Sequence, residues 1–170
     1  KNKYWLSDYS FYMALKECYG NVGREDFLNF NLKSEDALDF CRKELRQRLK
    51  FFAFLEYAFD VQWQELKGYA KEKNILLVGD IPLYVSNDSA DVWANPELFL
   101  LDEKGKPALV AGVPPDMFSA EGQLWGNPIY NWENHKKQSY LWWSRRIARQ
   151  SELFDVIRID HFIGICRYYA

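Results

Sequence analysis

Two short aliphatic runs constrain this chain most: Ile75-Leu76-Leu77-Val78, and Val156-Ile157-Arg158-Ile159 between Asp155 and Asp160. The first is unbroken by polar residues and bounded by Asn74 and Gly79, which predicts a strand buried on both faces. A long excursion and a helical pattern separate it from the second run. Strand, excursion, helix, strand is a right-handed βαβ unit, so the two strands are expected to be parallel. The chain therefore reads as α/β, with parallel strands, helices and a long βα loop excursion.

Around those strands the pattern is helical. Ser7 is expected to cap a helix running through Tyr12, Leu15 and Lys16 to a stop at Gly20, and Asn21 to Lys33 reads as a connection. From Ser34 the apolar positions Leu38, Cys41, Leu45 and Leu49, spaced by three and four, continue through Phe52, Leu55, Phe59 and Trp63 to Ala70. So long a stripe predicts two helices with a bend near Leu49 or Lys50. Between Asp80 and Trp132, Leu98–Leu101 and Ala108–Ala111 flank Asp102-Glu103-Lys104-Gly105 as a hairpin. Connections much longer than about 15 residues usually carry function. A helix is expected from Asn134 to Gln150.

With 170 residues, 48% of them hydrophobic, and a net charge of −2, the chain is globular and lacks the basic excess of a nucleic-acid binder. No apolar run approaches the roughly 20 residues of a membrane span, and the first residues lack a signal-peptide core. Three widely spaced cysteines, Cys18, Cys41 and Cys166, fit neither a disulfide framework nor a zinc site, pointing to a reducing, cytoplasmic compartment. The unusual quantity is 18% aromatic residues, seven of them Trp. Such rings fill cores, the role expected of Phe11, Phe40, Phe52 and Phe59, or stack on flat, partly apolar ligands such as sugars.

Asp80 and Asp160 are expected at strand C-terminal ends, where α/β folds open their sites. Two carboxylates facing one cleft can do acid, base or nucleophilic work on an acetal; alternatively, an Asp after a strand starts a turn or caps a helix. Strand alternation puts Arg158 and Asp160 on one face, about 6.6 Å apart along the strand, with Ile157 and Ile159 toward the helices. A buried guanidinium there favours a charged carboxylate, suited to a nucleophile; a structural Arg–Asp pair has the same spacing.

Several runs, in order, carry a resemblance. They are Gly79-Asp80-Ile81-Pro82-Leu83-Tyr84-Val85, Asp88-Ser89-Ala90-Asp91-Val92-Trp93, Ala111-Gly112-Val113-Pro114-Pro115-Asp116-Met117-Phe118, Leu124-Trp125-Gly126-Asn127-Pro128 and Val156-Ile157-Arg158-Ile159-Asp160-His161-Phe162. Together they resemble the 4-α-glucanotransferases of glycoside hydrolase family 77, called amylomaltase or disproportionating enzyme. The resemblance implies a (β/α)₈ TIM barrel that moves α-1,4-glucan segments between malto-oligosaccharides by a retaining mechanism, without cofactor or metal. By the same resemblance Asp160 is the nucleophile, Arg158 its orienting partner and Asp80 a binder of donor-sugar hydroxyls. Asp116 matches an aspartate on a mobile loop over the cleft, with Trp125 and Asn127 near it, and His161 lies within the nucleophile motif. Ile163 stands where many relatives carry Arg.

Read physically, Pro114 and Pro115 stiffen that loop, Gly112, Gly122 and Gly126 permit tight turns, and Phe118, Trp125, Tyr130 and Trp132 offer faces to glucose rings or pack the loop down. A complete barrel takes about 250 residues, and the family's acid/base glutamate lies on the next strand, beyond Ala170. Residues 1–170 are accordingly expected to be part of a catalytic barrel domain, truncated at both ends, inactive alone and prone to self-association through open edges. Three rivals share these features: another α-glucan hydrolase or branching enzyme, a non-catalytic carbohydrate-binding module, and a metal-dependent hydrolase using Asp80, Asp160 and His161.

Overall fold

The computed structural model describes residues 2–20, 23–24, 27, 35–117, 119–167 and 169–170. Most of the expected connection from Asn21 to Lys33, and Ser34 at the start of the second helical pattern, lie outside them. Two parallel strands, β1 (Val78–Pro82) and β4 (Val156–Asp160), pair in the register Asp80↔Arg158 and Pro82↔Asp160. The expected parallel pairing is therefore present.

The strand begins later than the aliphatic run does. Helix α3 (Arg46–Glu72) ends in a Schellman motif: Asn74 is left-handed (φ 57), its N–H bonds Lys71 O at 3.0 Å, and Ile75 N–H bonds Ala70 O at 2.9 Å. Those bonds commit Ile75 to the helix end. Pairing starts only after Leu77, whose N–H and C=O meet Asp155. Nor is the run buried on both faces, because Ile75, Leu76 and Val78 are exposed. Among the described residues β1 pairs only with β4, and nothing covers that face.

Helix α1 (Lys3–Cys18) stops at Gly20 (φ 77) as expected, but it starts ahead of Ser7. The guanidinium groups of Arg145 and Arg149 lie over the rings of Tyr4 and Trp5, at 4.9 and 5.8 Å, which draws that aromatic turn into the helix. The second helical stripe divides at Leu45, into α2 (Glu35–Glu44) and α3, rather than at Leu49. Leu45 and Leu49 both pack against α1, so the stripe continues across the break. Phe11 joins the core and Phe52 is half-buried, whereas Phe40 and Phe59 are exposed, contrary to expectation.

The excursion carries its own small core of Leu83, Tyr84, Val92, Leu98, Phe99 and Tyr130 with their neighbours. Helix α4 (Ala90–Ala94) is capped by Ser89. The expected turn closes where Asp102 N–H meets Lys106 O at 2.7 Å, with Ala108 N–H on Leu100 O at 2.9 Å. Its second arm does not stay in that hairpin. Strand β2 (Val110–Val113) pairs instead with β3 (Gln123–Pro128) in a second, antiparallel sheet. Gly112 lies within this ladder, where a methyl would fall on Gln123 O, so it serves close strand approach and not a turn. Gly122 (φ 74) makes the turn before β3.

The helix expected from Asn134 to Gln150 is two helices, α5 (Trp132–Lys137) and α6 (Leu141–Leu153), broken where Ser139 and Tyr140 take φ of 52° and 54°. No glycine or proline marks that break in the sequence. Helix α6 is tied to α3: Trp63 Nε1 donates to Leu153 O at 2.7 Å and Arg149 Nη2 to Asp60 at 2.6 Å. Asp88 ties α1 to the segment after β1 by accepting from Tyr12 Oη, from Lys16 Nζ at 2.5 Å and from Arg24 N–H at 2.9 Å. No described helix is long and apolar enough to cross a membrane.

Candidate active site

The parallel register sets Asp80 beside Arg158, and strand alternation returns Asp160 to the same face two residues later. Arg158 bridges the two carboxylates. Its Nη1 donates to Asp80 Oδ2 and its Nη2 to Asp160 Oδ1, the latter at 2.6 Å. A planar guanidinium suits this work, since its diverging N–H groups serve two acceptors at once. The triad is open rather than buried, with the Arg158 side chain 60% and each carboxylate 54% exposed. Asp160 ends its strand as expected. Asp80 does not: it sits mid-strand, two residues before Pro82. Ile159 packs toward the excursion's core on the opposite side, so the strand parity is as read.

Beyond Asp160 the chain turns sharply. His161 is left-handed (φ 53) and starts a 3₁₀ turn over Phe162–Ile165. A methyl on Gly164 would meet Leu83 Cδ2 at 2.5 Å and Tyr84 Oη at 2.9 Å, so this turn seats directly on the exit of β1. The His161 ring meets Trp125 edge-on at 5.1 Å and Tyr84 at 6.2 Å. Trp125, 39% exposed, is thus held beside the turn that follows Asp160, with its Nε1 donating to Gln123 Oε1 at 2.9 Å. Tyr84, only 7% exposed, stacks on Tyr130 and completes the wall. Tyr84 is a wall residue that the sequence does not mark out from the run Gly79–Val85 in which it stands. Its signal there was an aromatic residue four positions beyond a strand aspartate.

Asp116 closes its own turn, bonding Ser119 N–H through Oδ1 at 2.9 Å while its N–H meets Ser119 O at 2.9 Å. Met117 at that tip is 91% exposed, and Phe118 lies outside the described residues. Asn127 donates from Nδ2 to Val85 O at 2.8 Å, pinning β3 to the segment after β1. Tyr130 is in the core and Trp132 packs against it, so these two rings hold the excursion down. Among the described residues no three His, Cys, Asp or Glu side chains gather closely enough to hold a metal ion.

The sequence profile of the 4-alpha-glucanotransferases, glycoside hydrolase family 77, matches residues 1–170. The chain belongs to this family. The 4-alpha-glucanotransferase of Aquifex aeolicus is 48% identical over 169 residues, which are 99% of this chain and 35% of the relative. That of Thermus thermophilus is 42% identical over 170 residues, 99% of this chain and 34% of the relative. Among solved structures, an amylomaltase from Streptococcus agalactiae in complex with acarbose superposes with a TM-score of 0.88 at 45% identity, covering 95% of this chain and 33% of that one. The chain thus spans about a third of the length of the 4-alpha-glucanotransferases it matches.

Proposed function

We propose that residues 1–170 form part of the (β/α)₈-barrel catalytic domain of a 4-alpha-glucanotransferase, in which Asp160 is the nucleophile, Arg158 orients it, and Asp80 binds hydroxyls of the donor sugar. The arrangement that carries this reading is the Arg158 bridge between Asp80 and Asp160 on one open face. Retaining transfer needs a carboxylate held at the anomeric carbon and a second carboxyl group about 5–5.5 Å away. An Asp160 oxygen attacks C1 of the donor glucosyl unit. The C1–O4 bond breaks, and the departing O4 takes its proton from the second, acid/base carboxyl group. The 4-hydroxyl of an acceptor glucan then displaces Asp160 from C1 and returns its proton to that base. The reaction needs no metal or cofactor.

Trp125 and His161 line the approach, with Asn127 on β3 and Asp116 in the loop that joins β2 to β3. Closure of the Asp116 loop would exclude water while the glucosyl–Asp160 ester waits, favouring transfer over hydrolysis. The neighbour from Streptococcus agalactiae supports a sugar ligand, since it was solved with acarbose. Free Cys18, Cys41 and Cys166 suit a reducing cytoplasm. The exposed apolar rows on α3 and β1 would pack on the remainder of the barrel, and the isolated chain would self-associate through them.

The test is product analysis with maltotriose on the intact protein. Longer maltodextrins together with glucose are expected, and Asp160→Asn should remove them almost completely. Glucose and maltose alone would mark a hydrolase, and an active Asp160→Asn protein would refute the nucleophile assignment.

A further inference from the structure

Strand β1 ends at Pro82, which has no N–H, and β4 ends opposite it at Asp160. Among the described residues no strand continues the ladder to the carbonyls of Pro82 and Leu83, and Leu83 is a buried residue whose backbone polar groups need partners. Helix α6 supplies donors through one side chain. Arg146 Nη2 donates to Pro82 O at 2.7 Å, and Nη1 donates to Leu83 O at 3.1 Å and to Tyr130 Oη at 3.3 Å. The Tyr130 hydroxyl in turn donates to Leu83 O at 2.7 Å. The guanidinium also lies against the rings of Trp142 and Trp143, at 5.3 and 5.1 Å, two indoles that meet edge-on at 5.3 Å and wall it on one side.

This clamp grips the backbone between the two parts of the site. Asp80 lies two residues before Pro82, and Tyr84, the ring on which Trp125 and His161 pack, follows Leu83 directly. We infer that Arg146 is a positioning residue: by fixing the exit of β1 from the helix side, it holds Asp80 and the Tyr84 wall where a donor sugar binds, without touching the sugar. The inference rests on the proposed function. Lysine would not replace it, because an ammonium is a point donor on a flexible stem and lacks the rigid fork that reaches two successive carbonyls and a phenol at once.

The experiment is a binding cycle on the intact protein carrying Asp160→Asn, which prevents turnover. Maltotriose affinity is measured by calorimetry with Arg146 or Arg146→Lys, each combined with Asp80 or Asp80→Asn. Arg146→Lys is expected to weaken maltotriose about tenfold when Asp80 is present, and less than about twofold when it is Asn, because the two act on one contact. Equal weakening in both backgrounds, no weakening beside intact Asp80, or a lowered melting temperature without coupling to Asp80 would overturn the inference. Should Arg146→Lys not fold, Tyr130→Phe removes one donor from Leu83 O and is read by the same cycle. Failure of the Arg146, Asp80 parent to bind maltotriose would instead overturn the functional reading, and the inference with it.

Discussion

Gly79 precedes Asp80 in β1, and the space a side chain would need there is already filled. A methyl built on it would lie 2.5 Å from Phe154 Cγ and 2.8 Å from Cε2, with Cδ2 closer still. Apolar carbons rest about 3.5–4.0 Å apart, so Gly79→Ala requires the ring to retreat by about 1 Å. It has little room, because Trp63 packs against it at 5.3 Å and is itself bonded to Leu153 O at 2.7 Å. Overpacking of this kind costs about 1–3 kcal/mol, and the smaller entropy of the unfolded Ala chain returns about 0.4–1 kcal/mol. A net loss of about 1–2 kcal/mol is expected. Gly68 provides the control, since it lies inside α3 with nothing within 4 Å of an added methyl. There the same substitution should stabilise by about 1 kcal/mol. Urea titrations of the intact protein followed by Trp fluorescence should move the two midpoints in opposite directions. Adding Phe154→Leu to Gly79→Ala should recover about 1 kcal/mol relative to the sum of the single changes. Midpoints that shift the same way, or a cycle without coupling, would refute the packing argument.

Asp88→Ala removes the acceptor shared by Tyr12, Lys16 and Arg24 and should destabilise by about 2 kcal/mol once solvent screening is allowed for. Burial acts to raise the Asp88 carboxyl, but the bonds from Lys16, Tyr12 and the Arg24 backbone outweigh it and hold the group below the ordinary carboxylate range. Its contribution is thus complete above the unfolded value and declines as pH falls below about 4. A parent acid-unfolding curve matching that of Asp88→Ala would contradict this. His135, 1% exposed among the rings of Tyr130, Trp132 and Trp142, is pushed below its usual value by burial, against opposing pulls from the Leu98 backbone and Glu97. The unfolded chain takes the proton first, so stability should fall as pH drops below about 6.5, and His135→Phe should flatten that dependence between pH 7.5 and 5.5. Trp125→Ala opens the wall beside His161 and should raise the fraction of donor glucan hydrolysed rather than transferred; an unchanged product ratio would remove Trp125 from the water-excluding role.

The alternation Arg158-Ile159-Asp160 put guanidinium and carboxylate on one face because side-chain direction along a strand depends only on local backbone geometry. Parallel pairing followed from chirality, and family membership from motifs in a shared order. Elsewhere longer-range contacts decided. The Schellman end of α3 took Ile75 out of the strand, and packing against α1 moved the helix break to Leu45. The left-handed pair Ser139–Tyr140 divided α5 from α6, and β2 left its nearer hairpin for β3. The depth of Asp80 was likewise invisible, since register between two distant strands is set by their joint packing and by no residue in either. So was the clamp on β1, because Arg146 meets Pro82 and Leu83 only when α6 is laid against the sheet. The chemical groups of the site were legible from local order along the chain; their relative placement was decided in the tertiary structure, where distant segments compete for the same donors and the same space.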